Sequence, residues 1–226
     1  FFALQAIGRT PVMLNFTAGP STLTAALAIP AAKLILTSRR FLAQGRLEEL
    51  VGELEQAATI VYLEDVRASI GVADKLYAAA AGAAPRLFRK ALTPRDPGVI
   101  LFTSGSFANP RGVVLTQGNL VANAEQVAMV IEIEPAWTLL NPLPIFHALG
   151  LVATILPLLV GVKTFLYPSP LHTKMVVELV RDTLADVLVS TDTFLGQYAR
   201  AADPGDLSGL NFVFCGAEKV RDSTRA

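Results

Sequence analysis

Residues 99–118 read VILFTSGSFANPRGVVLTQG. Val99 to Phe102 is an apolar run that opens on two β-branched residues, Thr103 to Pro110 turns to hydroxyls, glycine and proline, and Gly112 to Leu115 is apolar again. The pattern is strand, polar loop, strand, and loops between the strands of α/β proteins are where ligands sit. The loop region carries Thr103, Ser104 and Ser106, with Gly105 between the serines and Arg111 beyond. Backbone N–H groups freed by glycine, hydroxyl donors and a guanidinium suit a phosphate chain. The P-loop of common NTPases needs G-x-x-x-x-G-K-[ST] running into a helix. Counting from Gly105 puts Pro110 at the second glycine, and the chain continues into strand-forming residues. That motif is therefore excluded.

On either side of this stretch, strand and helix signals alternate. Residues 11–16 read as a short strand, and Ser21 or Thr22 as the cap of a helix running to Ile29 before Pro30. Lys33 to Thr37 reads as a buried strand, Ser38 to Leu42 as a helix start, Leu47 to Ala58 as an amphipathic helix, Ile60 to Leu63 as a strand and Ala73 to Ala83 as an alanine-rich helix. The basic, proline-punctuated segment Pro85 to Pro97 reads as a connector. After the loop come a helix over 117–131, a strand over 137–140, an irregular crossing over 142–147 and a hydrophobic helix over 149–159. Strands over 163–166, 186–190 and 211–215 then alternate with helices over 174–184 and 194–201. Such alternation predicts an α/β fold of layered, mostly parallel sheets flanked by helices. It divides into a first lobe over 1–95 and a second over 96–226 that carries the phosphate loop.

Bulk composition narrows the function class. The 226 residues include 19 basic and 19 acidic side chains, a balance that argues against a nucleic-acid partner. Hydrophobic residues make up 52% and charged ones 17%, enough for a sizeable core and against disorder. A lone Cys215 excludes an internal disulfide and a cysteine metal cluster. No secretory signal is visible. The uncharged run from Ala148 to Val162 contains Pro157, and falls short of the roughly 20 residues that span a bilayer.

Two further segments could carry chemistry. One is Leu143-Pro144-Ile145-Phe146-His147-Ala148-Leu149-Gly150, with a histidine at a helix start. The other is Gly216-Ala217-Glu218, at the carboxyl end of a predicted strand, where ligands of open α/β sheets gather. Their order matters. T-S-G-S followed by Pro110 and Gly112, then L-P-x-F-H-x-x-G, then G-A-E resembles the signature series of the adenylate-forming (AMP-binding) superfamily. Phe107 stands where that family has Thr or Glu, Ala108 replaces a glycine, and Arg111 replaces a lysine, keeping charge but not geometry. The segments VVLTQGNLVAN, LPIFHALGL, TFLYPSPLH, STDTFLGQYARAA and VFCGAEKVRDSTR further resemble the acyl-[acyl-carrier-protein] synthetase domain of bifunctional 2-acylglycerophosphoethanolamine acyltransferase/acyl-ACP synthetases.

That resemblance implies a two-step ligase using ATP and Mg2+. A fatty-acid carboxylate attacks the α-phosphate, and a phosphopantetheine thiol, on acyl carrier protein or CoA, then displaces AMP. By carry-over, Thr103, Ser104, Gly105, Ser106 and Arg111 hold phosphates, and His147 borders the acyl carboxylate or adenylate as the catalytic candidate. Gly216, Ala217 and Glu218 line the adenine, while Thr191, Asp192 and Phe194 form an acyl-side wall. The resemblance further implies a cytoplasmic protein, with peripheral membrane contact an option for the full-length molecule. The magnesium-binding Glu, ribose-binding Asp, hinge and mobile C-terminal domain are expected beyond residue 226, so the segment is expected not to turn over alone. The acyltransferase pattern H-x-x-x-x-D is absent: Val152 and Val177 stand five residues after His147 and His172. Phe107, Ala108 and Arg111 leave a second option, a non-catalytic nucleotide- or acyl-binding module. A membrane-peripheral interaction domain is a third.

Overall fold

The computed structural model describes residues 1–104 and 110–225. Contact density divides the chain into two compact units, Phe1–Gln117 and Gly118–Ala226. The hairpin built on the phosphate-loop stretch falls in the first unit, not with the residues that follow it. Its first strand is tied to the N-terminal segment: Ile100 N–H donates to Pro11 O at 2.9 Å and Met13 N–H to Ile100 O at 3.0 Å.

In the first unit, α1 (Phe2–Ala6) precedes α2 (Pro20–Ala28), β1 (Leu34–Thr37), α3 (Arg39–Gly45), α4 (Glu48–Leu54), β2 (Thr59–Tyr62), α5 (Leu63–Ser69), α6 (Val72–Ala83) and α7 (Pro85–Phe88). β1 and β2 pair in parallel, Leu34 opposite Thr59 through Thr37 opposite Tyr62. Leu23 and Leu27 of α2 and Leu54 of α4 close a small core with Ala58, against which Ile35 and Ile60 pack. The other face of β1 stays open. Leu34 is 63% and Leu36 46% exposed, so the strand expected over Lys33 to Thr37 forms but is not buried. The strand expected over 11–16 does not form. Val12 makes a single parallel bridge to Ile100, and Pro11 has no N–H to extend the ladder. Then β3 (Pro97–Ser104) and β4 (Pro110–Thr116) form an antiparallel hairpin, with Thr103 opposite Arg111 and Ser104 opposite Pro110.

The second unit is built on a four-stranded parallel sheet. α8 (Gln117–Val130) leads to β5 (Thr138–Asn141), α9 (Ala148–Val160), β6 (Lys163–Leu166), α10 (Thr173–Asp182), β7 (Val187–Ser190), α11 (Asp192–Ala201), β8 (Phe212–Cys215) and α12 (Asp222–Arg225). The strand order is β6-β5-β7-β8. Every residue of β5 and β7 is buried, as two-sided cover of a parallel strand demands. Leu140 and Leu188 face Val176, Val177 and Val180 of α10 and Tyr198 of α11. Leu139, Val187 and Val189 face Ala153 of α9. Each such leucine or valine contributes about 1.5–3 kcal/mol by leaving water. Asp186 ties the amino ends of three strands. Its carboxylate accepts from Thr138 N–H at 2.8 Å and from the Asn211 amide at 3.0 Å. The chain steps from β5 out to β6, then returns past β5 to β7 and on to β8. Helices therefore lie on both faces, and the winding reverses between β5 and β7. In open α/β sheets the crevice at such a reversal, outside the carboxyl ends of the strands, is where ligands bind.

Candidate functional site

Three carboxyl-end segments of the second unit carry sequence-predicted residues: His147 after β5, Thr191, Asp192 and Phe194 after β7, and Gly216 to Glu218 after β8. Asn141, the last residue of β5, organises the first of them. It is 1% exposed. Its amide donates to Gly150 O at 3.1 Å and Thr154 Oγ1 at 3.2 Å, while its side-chain oxygen accepts from Leu143 N–H at 3.0 Å. These bonds fold the 142–147 crossing back over the head of α9. Gly150 completes the turn, because a Cβ there would lie 2.2 Å from Pro144 O. His147 then stands at the N-cap of α9, in extended conformation and without a side-chain cap bond. Its imidazole is exposed and its ring centroid lies 4.6 Å from that of Phe146. Partial desolvation lowers its pKa, which favours the neutral imidazole.

Thr191 caps α11, its hydroxyl accepting from Phe194 N–H at 3.5 Å. Asp192 is 1% exposed. One of its carboxylate oxygens accepts from Arg221 N–H at 3.0 Å and the other from the Arg221 guanidinium. The Arg221 main-chain hydrogen bond, ahead of the charge itself, holds the Asp192 pKa below the usual carboxylate range. Phe194 packs into the core on both faces of the sheet and stacks on Tyr198 with centroids 6.5 Å apart. Asp192 and Phe194 are thus engaged by the protein itself.

The segment after β8 leans on both neighbours. Gly216 N–H donates to Ser190 O at 3.2 Å, and a Cβ on Gly216 would come within 3.1 Å of the Leu149 side chain. Ala217 is left-handed, with φ 67°. Glu218 accepts from Thr193 N–H at 2.8 Å and from the Thr193 hydroxyl at 3.0 Å. The Thr193 backbone bond is the main reason that its pKa is lowered, with the Thr191 hydroxyl adding to it. Glu218 thereby serves as an anionic cap on the first turn of α11, from a different segment of the chain. Behind it the half-buried Cys215 thiol has a raised pKa, from burial first and then from Asp192 and Glu218.

In the first unit, Thr103 and Arg111 are cross-strand partners and both are exposed. Directly opposed residues of an antiparallel pair project from one face, so a hydroxyl and a guanidinium stand side by side. That donor set fits a phosphate. The backbone of Ser104 ends β3, while Gly105 and Ser106 lie outside the described residues, as do Phe107 and Ala108. Among the described residues no group of His, Cys, Asp and Glu is arranged to hold a metal ion. No helix among them is long and apolar enough to cross a membrane. Sequence reasoning passed over Asn141, Thr193 and Arg221. The Asn-Pro pair at 141–142 was a local turn signal, but neither Thr193 nor Arg221 carries one.

Fold and loops define an α/β chain with a doubly wound sheet in its second unit and, in its first, a hairpin whose donor set fits a phosphate. Across residues 1–226 the sequence matches the AMP-binding enzyme family, and the chain belongs to that family. It is 28% identical over 177 residues to acyl-CoA ligase sidI of Beauveria bassiana, covering 75% of this chain and 30% of that protein. It is 30% identical over 129 residues to feruloyl-CoA synthase of an Amycolatopsis species, covering 55% and 26%. The fold is similar to that of o-succinylbenzoate CoA synthetase (MenE) from Bacillus subtilis, solved with its acyl-adenylate intermediate. The TM-score is 0.76 at 18% identity, over 96% of this chain and 40% of that one. The chain thus spans less than half the length of each of these three proteins.

Proposed function

We propose that the protein is an AMP-forming ligase that activates a fatty acid as acyl-adenylate and passes the acyl group to a phosphopantetheine thiol. Membership of the AMP-binding enzyme family over all 226 residues is the observation that carries this reading. A carboxylate oxygen attacks the α-phosphorus of ATP, the bond to pyrophosphate breaks, and a thiolate later displaces AMP from the acyl carbon. Adenylation turns a poor leaving group into a good one. The protein must align the two reactants and neutralise growing charge. Thr103, Ser104, Gly105, Ser106 and Arg111 hold the phosphates, and the turn at Gly216–Glu218 borders the adenine. His147, as neutral imidazole, lies against the reacting carboxylate. Mg2+ bound to the ATP phosphates would offset their charge, and among the described residues no acidic group is arranged to hold it.

A narrow apolar crevice of about 10 Å³ is a place that an aliphatic acyl group could enter only by parting its walls. It lies between α8, α9 and the sheet, and Val127, Ile131, Ala153, Leu156, Val189 and Phe214 are among its lining residues. The relatives named above are CoA ligases, which favours CoA over acyl carrier protein as acceptor. In the whole protein, fatty acid should drive exchange of labelled pyrophosphate into ATP, and Arg111→Ala should cut that exchange by about tenfold or more. Binding of ATP and acid with no exchange would favour the non-catalytic binding module, for which the replacement of the family's lysine by Arg111 speaks. Absence of ATP binding would remove both readings.

A further inference from the structure

We infer that Arg221 is a positioning residue for the nucleotide side of the site, latching the Gly216–Glu218 turn onto the head of α11. The inference rests on the reading that this turn borders a nucleotide.

The two segments exchange carboxylates. Asp192, on α11, reaches across to Arg221, and Glu218, on the turn, reaches back to Thr193 of α11. A surface ion pair would count for little, but Asp192 is 1% exposed. Arg221 reaches both its oxygens, through main chain and guanidinium together, and the Thr224 hydroxyl adds a further bond. Removing Arg221's side chain takes the cation from a buried carboxylate and leaves it to the Arg221 main-chain N–H and the Thr224 hydroxyl.

What the latch holds is a strained turn. Ala217 sits at φ 67°, a conformation that persists only where the surroundings over-determine it. Gly216 N–H on Ser190 O fixes the chain just before it and Glu218 on Thr193 fixes it just after. Arg221 fixes the exit, three residues beyond Glu218. The backbone groups of Gly216 and Ala217 are thereby presented at the carboxyl edge of the sheet in one arrangement. With Glu218's oxygens accepting from Thr193 and Gly216 N–H given to Ser190 O, the Gly216 carbonyl and the Ala217 backbone groups are what the turn has to offer a nucleobase.

The test uses the whole protein and reads ATP dissociation by equilibrium dialysis, with the KM values for ATP and fatty acid measured separately. Arg221→Gln should raise the ATP Kd and KM on the order of tenfold while the fatty-acid KM moves by less than about twofold. Arg221→Lys should recover part of the loss, since it restores charge but not the guanidinium geometry. If Arg221→Gln does not fold, the paired variant Asp192→Leu with Arg221→Met removes the latch without stranding a charge, and it too should bind ATP about tenfold more weakly. Unchanged ATP affinity in whichever folded variant is read, or equal rises in both KM values, overturns the inference. Failure of the unaltered protein to bind ATP overturns the nucleotide reading itself.

Discussion

At Gly150 the backbone leaves no room for a side chain: an added Cβ would meet Pro144 O at 2.2 Å and Leu143 O at 3.0 Å. Both obstacles are main chain, so neither can rotate away. Moving them means breaking the bonds through which buried Asn141 holds Leu143 and Gly150. Gly150→Ala is therefore expected to destabilise the second unit by about 1–3 kcal/mol, as overpacking does, and to displace His147 with the crossing it ends. Urea denaturation gives the first quantity. An unchanged midpoint would mean the crossing is not held as described. This site was half legible in the sequence. The run Leu143 to Gly150 stands out by its Pro, His and Gly, which are locally unusual residues. The Asn141-Pro142 pair signals a turn but not the role of Asn141, which depends on groups brought to it by folding, Thr154 among them. Thr193 was passed over for the same reason, since its partner Glu218 is 25 residues away.

The head of α11 shows how an element can be held by charge arriving from elsewhere. Thr191 caps it locally, while Glu218 adds a carboxylate from the turn after β8. Asp192, in its first turn, is answered by Arg221. Hydrogen bonds to the ionised forms lower the pKa of both acids, from Arg221 N–H for Asp192 and from Thr193 N–H for Glu218. A carboxyl whose pKa is lower folded than unfolded contributes stability above its unfolded pKa. That contribution is lost as pH falls through the lowered folded value. Asp192→Asn should therefore be less stable at neutral pH and lose less stability on acidification below about pH 4. Chemical denaturation across that range would show converging curves, and parallel curves would sink the assignment. Elements such as α9, α10 and β7 were legible because periodicity or an unbroken apolar run marks them. By contrast α1, α5 and α7 span 5, 7 and 4 residues, too few turns for a helical period to register. The segment at 11–16 has a strand's composition, but Pro11 and the single bridge at Val12 leave it without a ladder.

Across the whole molecule, composition and alternation predicted layered α/β units, and the parallel sheet of the second unit follows that pattern. Where the units divide was not legible. The proline-rich connector before residue 97 suggested one break, whereas the backbone bonds from Pro11 and Met13 to Ile100 bind the hairpin to the first unit. Nor was the apolar crevice, since no motif marks residues drawn from α8, α9 and three strands. If the acyl chain of the proposed ligase parts the walls of this crevice, its lining decides which acids are accepted. Ala153 lies on α9 against the sheet, 3% exposed, and lines it. Ala153→Leu adds three carbons to an apolar space without introducing a polar atom, so folding should be affected by no more than about 1–3 kcal/mol. If an alkyl chain occupies the crevice, each methylene excluded forfeits about 0.8 kcal/mol of burial, and losing two of them raises KM by about tenfold. Long acids should bear that loss, and acids too short to reach Ala153 should not. KM values for a graded series of fatty acids test this. An equal change for every chain length would place the acyl group outside the crevice, leaving the adenylation chemistry untouched and the substrate assignment wrong.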